Sequence, residues 1–398
     1  MNVAIVVQND FPNVGEVRPT RLGKSLSDHG HRVHILASNP RKEPFLEDLS
    51  YARVHRFRYF KNFSPSKLLN IPSPLNLFWL IWICEVIAKQ KIDIVISSNI
   101  RVALPAILAA RLMGKPVVLD LQENNEELVR HRPKTRFYHH LSRNPYLVRA
   151  LEHLCARGAH SVWVVIEERL QSLPPDIKRK RKVLVIKHTP NLEEVRPSKG
   201  AKLARMRSGF LMMYVGRFQG GFGRIELILQ AMPRILSRDR TVQFVIGGVE
   251  TRRSELEDIV LALNIKNNVH IHGKIEPEDI PDWLIQGDIG VLPYPVNLST
   301  STTISNKVFH YMAAGLPVLT TDMPPTRRII EEFQCGRVIP SGSRPQDVAN
   351  IILQMKENPK ELRRMGENGI RAVIEKYNWN CDFHKALRCI EELAFSKG

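Results

Sequence analysis

Apolar runs of strand length alternate along this chain with helix-compatible stretches, and Gly, Pro and small polar residues punctuate the joins. In the first half such runs occupy residues 2–7, 32–37, 93–97, 117–121, 161–166 and 183–186. Helix-compatible segments at 20–29, 75–88, 104–113 and 146–158 lie between them, with Leu22 and Leu26, for example, one turn apart. Near-continuous apolar strands separated by helices predict a parallel sheet covered on both faces. The alternation restarts at Leu211, with strands at 211–215, 242–246, 270–273, 289–292, 318–321 and 336–339. Its helices fall at 225–236, 254–263, 277–286, 307–314, 347–358 and 359–377. Residues 188–209 separate the two blocks and mix Pro, Gly and charge without a period, as a linker does. A length of 398 residues also exceeds what one core sustains. The expected organisation is α/β: one doubly wound domain over 1–190, a linker over 191–209, a second domain over 210–377 and a helix over 378–398. In that last stretch Phe383, Ala386, Leu387, Ile390 and Leu393 recur at helical spacing, which suits a helix crossing back to brace the first domain.

Composition narrows the partners. A net charge of +18 admits nucleic acid, anionic lipid and phosphorylated small molecules. No nucleic-acid-binding motif accompanies the charge, so nucleic acid is not expected. No uncharged apolar run is long enough for a transmembrane helix. The opening residues read as a strand, not a signal peptide, and five scattered cysteines fit reduced thiols in a cytoplasm. Residues 53–63 interleave basic and aromatic side chains, which suits either an anionic surface or a two-faced strand running into a loop. Residues 75–88 are apolar nearly all round, so they suit a buried helix, or one placing Trp79 and Trp82 at a membrane interface or against the partner domain. The basic run 178–182 reads as a solvated turn or a phosphate or lipid contact.

Three stretches carry candidate chemistry. Residues 299–322 begin with a Ser/Thr-rich loop, continue into a short helix from Lys307, stop at Gly315 and Pro317, and end in an apolar strand. Unpaired N–H groups at that helix start, with Lys307 in the first turn, suit a phosphate; ordinary Ser/Thr capping is the plain alternative. The loop 216–224 is glycine-rich and joins a strand to a helix. Its backbone can approach phosphates, and Arg217 or Arg224 can pair with them. Neither a dinucleotide fingerprint nor a P-loop ending is present. Finally, Asp120, Gln122, Glu123, Asn124 and Asn125 stand at the end of a parallel strand, where open sheets bind ligands. They suit sugar hydroxyls, or a solvated loop capping the next helix.

Taken together, the motifs resemble glycosyltransferase family 4, the retaining nucleotide-sugar transferases of GT-B fold. Gly30-His31-Arg32-Val33 is similar to the family's GHxV, and Asp120-Leu121-Gln122-Glu123 to its D-x-H-E strand end. Thr189-Pro190-Asn191 precedes the linker as the family's PN does, and Tyr214-Val215-Gly216-Arg217 resembles YVGR. Residues 307–318 are close to K-x-F-E-Y-M-A-x-G-x-P-V, and Tyr377-Asn378-Trp379 matches a late Y-x-W. The resemblance implies two Rossmann-like domains facing across a cleft, and a hexose moved from a UDP- or GDP-sugar to a polysaccharide or lipid-linked acceptor. The protein would be cytoplasmic, peripheral on the inner membrane face where the surface is anionic. No metal and no cofactor are implied, the nucleotide-sugar being a substrate. Gly216, Arg217, Arg224, Thr302, Thr303, Ile304 and Lys307 would hold the donor diphosphate and sugar, and Lys274, Ile275 and His310 the nucleoside. Gly15, Asp120 and Asn124 would face the acceptor, with Arg217, Gln122 and Glu123 as catalytic candidates. Four family positions carry other side chains here: Thr302 and His310 for a Glu pair, Phe222 for a Lys, and Gln122 for a His. They support the alternative of a catalytically silent binding or scaffold subunit.

Overall fold

A computed structural model describes residues 1–12, 17–57, 76–130, 143–195, 209–216, 225–249 and 253–395. The chain divides into two compact units, Met1–Lys187 with Asp382–Gly398, and His188–Cys381.

The first unit is built on an eight-stranded sheet in the order β3-β4-β2-β1-β5-β6-β7-β8. Its strands are β1 (Asn2–Val6), β2 (Arg32–Ala37), β3 (Leu46–Asp48), β4 (Arg53–Arg56), β5 (Ile94–Ser97), β6 (Val117–Leu121), β7 (Ser161–Val164) and β8 (Lys182–Val185). All pairs are parallel except β3 with β4. Central strands such as β5 and β6 are buried along their whole length, which is why they read as unbroken apolar runs. The helix Trp379–Phe395 begins in the second unit and continues into the first. There Phe383 packs edge-on against His29 with ring centroids 4.9 Å apart, and Cys389 lies 3.4 Å from Ser161 Oγ.

The second unit has a six-stranded, all-parallel sheet in the order β11-β10-β9-β12-β13-β14. Here β9 is Leu211–Val215, β10 Gln243–Gly247, β11 Val269–Ile271, β12 Ile289–Leu292, β13 Val318–Thr321 and β14 Gly336–Ile339. The helix Asn306–Ala313 packs on this sheet, and the helix Pro359–Glu375 backs it. A Cβ on Gly366 would fall 2.2 Å from the Gly315 carbonyl oxygen, so glycine there lets the backbones meet.

Several expectations need correction. The Ser/Thr-rich stretch is not all loop: Leu298–Thr302 is a one-turn helix, closed by a reciprocal capping box between Asn297 and Thr300. The basic run does not form a turn, because Lys178–Lys180 close the short helix Pro175–Lys180. Residues 277–286 split into a 3-10 turn, Pro277–Asp279, and the short helix Ile280–Leu284. The helix Pro324–Phe333 was not among the expected helices; it opens on Pro324 and Pro325, and proline suits a helix start. Trp79 is fully buried and stacks on Phe57 at 5.2 Å, which removes it from any interface, while Leu77 and Ile81 of the same helix are exposed. Among the described residues no helix is long and apolar enough to cross a membrane.

Adjacent β2 and β4 bury a histidine pair, His34 Nδ1 and His55 Nε2, 3.1 Å apart. Burial first, then the neighbouring His34 and Arg53 charges, lower the His55 pKa from 6.5 to about 4. A depressed folded-state pKa makes stability fall as pH drops through that window, because the unfolded chain binds the proton more readily. We expect the midpoint of thermal unfolding to decline between pH 6.5 and pH 4. His55→Gln should flatten that limb; an unchanged pH profile would refute the assignment.

Candidate functional site

In the second unit, β9 and β12 are neighbours whose onward connections run in opposite directions, β9 to β10 on one side and β12 to β13 on the other. Crevices at such a switch point, outside the carboxyl ends of the strands, are where doubly wound sheets bind ligands. Tyr214 and Gly216 stand at the end of β9, and Tyr294 just beyond β12. Lys307, in the first turn of Asn306–Ala313, donates from Nζ to Tyr294 Oη at 2.9 Å. Its ammonium lies 5.5 Å from the Tyr214 ring centroid and 5.6 Å from that of Tyr294. Gly216 has φ of +131°, and a Cβ there would sit 2.4 Å from Lys307 Cε. Only glycine satisfies both the backbone and the lysine.

The helix carrying Lys307 is tied to the sheet. Tyr311 is fully buried, and its Oη accepts from the Val215 N–H at 3.1 Å. A Cβ on Gly290 would fall 2.4 Å from the Tyr311 ring, so β12 is shaped to receive that side chain. Burial alone would raise the Tyr294 pKa. The Lys307 charge and hydrogen bonds from Lys307, Tyr214 and Ser305 outweigh it, so the phenol is held below its ordinary value. Burial, followed by the neighbouring Tyr294 and Tyr311, pushes Tyr214 up instead. A fixed cation at a helix start can accept an anion without reorganising.

The other donor candidates divide. Thr302 Oγ1 donates to Leu298 O at 2.6 Å and Thr303 Oγ1 to Ser299 O at 2.8 Å, so both hydroxyl protons are directed back into their own turn. Ile304 packs on the core beneath the helix. Ile275 lies over the end of β10, where a Cβ on Gly247 would meet its Cδ1 at 2.4 Å. Gly216 N donates to Gly247 O at 3.2 Å, which joins that end to the Lys307 cluster. Lys274 is exposed and paired with Glu276 at 2.6 Å. His310 is half-buried on the same helix as Lys307, one turn on. Arg217, Phe222 and Arg224 lie outside the described residues, as does Gly15 in the first unit.

In the first unit the switch point falls between β1 and β5. Asp120, at the end of β6, is buried and receives Arg18 Nη2 at 2.6 Å, while Arg18 Nη1 donates to Ile186 O at 2.6 Å. Burial drives the Asp120 pKa up, against the Arg18 charge and hydrogen bonds from Gln122 and Arg18. Gln122 Nε2 reaches Asp120 Oδ2 at 3.1 Å and Ser98 Oγ at 2.5 Å, across to the end of β5. Both partners on that side accept, so the amide turns its nitrogen inward. Glu123 is exposed. Asn124 Oδ1 accepts from Glu127 N at 3.3 Å, capping the helix Asn125–Arg130, so here the capping reading holds. Arg18 was missed because the first helix was expected to begin at Thr20, which left the arginine in the preceding loop; its partner is 102 residues away. Tyr294 was missed because it reads as a turn residue between Pro293 and Pro295. Among the described residues no group of three or more His, Cys, Asp and Glu is placed to hold a metal ion.

Two family models match this chain: "Glycosyl transferases group 1" over residues 209–358 and "Glycosyl transferase 4-like domain" over 15–186. Alpha-D-kanosaminyltransferase of Streptomyces kanamyceticus is 27% identical over 168 residues, 42% of each chain. The chain thus spans about half the length, or less, of the curated relatives it first matches. Sucrose-phosphate synthase from Thermosynechococcus elongatus superposes over the whole of both chains with a TM-score of 0.74 at 16% identity. Anabaena HepE, solved in complex with UDP, gives 0.69 at 14% identity, covering 98% of this chain and 100% of its own. Likeness of that degree establishes the architecture.

Proposed function

The chain belongs to the group 1, family 4-like glycosyltransferases of GT-B fold, and we propose that it moves a hexose, with retention, from a UDP- or GDP-sugar to a polysaccharide or lipid-linked acceptor. The observation that carries this reading is the Lys307 ammonium, fixed at a helix start over the switch point of the second sheet and seated against Gly216. A leaving nucleoside diphosphate gathers charge as the glycosidic bond breaks, and a preorganised cation stabilises that charge. Arg217, next in sequence to Gly216, is assigned to the same anion, and Ile275 and His310 to the nucleoside. Gln122 and Asn124 belong to the sugar and acceptor side.

The membrane face is part of the proposal. In the first unit the neighbouring helices Leu77–Lys89, Ile100–Leu112 and Pro145–Gly158 expose Leu77, Ile81, Leu112, Tyr146 and Leu154. Exposed Arg101, Arg111, Arg149 and Arg157 stand among them. Apolar knobs among arginines suit an anionic bilayer surface.

Calorimetry with UDP, GDP and ADP tests the donor site. Binding of one of them, with slow hydrolysis of the matching nucleotide-sugar, is expected of an enzyme. The inward-directed Thr302 hydroxyl favours the second reading, a silent binding subunit. Failure of all three nucleotides to bind would establish that reading. Sedimentation with anionic vesicles at low and high salt tests the surface; binding insensitive to both lipid charge and salt would dismiss it.

A further inference from the structure

We propose that Tyr294 is the positioning residue that aims Lys307 at the donor diphosphate, and that the diphosphate binds only while the Tyr294 hydroxyl keeps its proton. The inference rests on the donor-site reading above and adds a regulating group to it.

The Lys307 ammonium donates to Tyr294 Oη at 2.9 Å and lies 5.6 Å from the centroid of the same ring, so the lysine head is held on this one side chain. The backbone beneath is held in place: Thr321 Oγ1 donates to Tyr294 O at 2.5 Å, Thr300 Oγ1 to Pro295 O at 2.7 Å, and prolines flank the tyrosine. Tyr294 is therefore a rigid post against which the flexible lysine stem is braced, with Gly216 closing the other side.

The titratable groups facing Tyr294 are Lys307 from Asn306–Ala313, Tyr214 from β9 and, through its charge, Tyr311. As a phenol, Tyr294 orients the ammonium and leaves its charge available. As a phenolate, it neutralises the ammonium and repels a dianion a few ångströms away. Binding of a diphosphate to the ionised form must then draw one proton from solvent onto Tyr294 Oη. The ordinary phenol ionises near pH ~10 and lysine slightly higher. Because Tyr294 is shifted downward, the loss of affinity should set in before either ordinary group titrates.

The test is calorimetry of UDP and of inorganic pyrophosphate, from neutral to alkaline pH, in buffers of different ionisation enthalpy. The parent protein should lose affinity by ~10-fold per pH unit on the alkaline side and take up close to one proton per bound ligand. Tyr294→Phe should bind more weakly at neutral pH but show neither the alkaline limb nor the uptake. Lys307→Met should move Tyr294 ionisation back up. If Tyr294→Phe fails to fold, the parent's tyrosinate absorbance decides: UDP must bleach it, and persistence overturns the proposal. Binding without proton uptake, or an identical limb in Tyr294→Phe, overturns this inference alone. No binding of either probe at neutral pH overturns the donor-site reading with it.

Discussion

Replacing Lys307 with alanine should weaken UDP binding by ~10- to 100-fold, since a charge-assisted hydrogen bond contributes ~1.5–3 kcal/mol net. Turnover should fall further, by ~100-fold or more, because the ammonium meets more charge in the departing diphosphate than in the bound donor. The excess loss in kcat over binding is the informative quantity. Lys307→Arg should rescue it only in part: a guanidinium donates in a fixed planar fork and does not reproduce the single ammonium contact to Tyr294 Oη, with Gly216 against its stem. Gly216→Ala should resemble Lys307→Ala although it removes no charge, since its methyl would stand 2.4 Å from Lys307 Cε and its backbone would be strained at φ +131°. Calorimetry with UDP and single-turnover donor hydrolysis would measure both effects. UDP affinity within ~2-fold of the parent in Lys307→Ala would place the diphosphate elsewhere.

The parts of this site legible in the sequence were those made by neighbours along the chain. Strands Arg32–Ala37, Val117–Leu121, Leu211–Val215 and Ile289–Leu292 have the bounds their apolar runs predict, because a strand buried on both faces is apolar at most of its positions. Gly216 and Lys307 were legible too, each as part of a local strand–loop–helix pattern. What escaped was chemistry assembled across the fold. Tyr294 meets Lys307 only because β12 ends beside the helix Asn306–Ala313. Arg18 meets Asp120 only because the sheet brings β6 near the first helix, Val17–Asp28. Of the short hairpin only β4 was legible, as the two-faced strand beginning at Arg53; the three residues of β3 carried too little apolar pattern to register, and the helix Pro324–Phe333 was not expected at all. Local propensity foretells elements; which polar side chains become buried partners depends on contacts made after the elements dock.

Removing Arg18 should be among the most destabilising single changes in the first unit. Its side chain and that of Asp120 are each 1% exposed, so Arg18→Met strands a carboxylate where water cannot reach it. Breaking a buried pair on one side costs ~3–5 kcal/mol, most of it the penalty of the charge left behind. For a unit of this size that corresponds to a fall of ~10 °C in the unfolding midpoint. The signature that separates this from lost packing is the double variant. Arg18→Met with Asp120→Asn leaves no uncompensated charge and should recover most of the loss, a coupling well outside additivity. The deficit of the single variant should also shrink toward acid pH. Burial already drives Asp120 upward, and without the arginine its folded pKa rises further above the unfolded one. A raised carboxylate pKa penalises the fold above that value and spares it below, once the group binds its proton. Gln122 should feel the same change, because its amide nitrogen is held by Asp120 and Ser98 together. Thermal unfolding of both variants at acid and neutral pH would measure this. A double variant as unstable as Arg18→Met at neutral pH would show that the arginine acts through its packing and its bond to Ile186 rather than through the carboxylate.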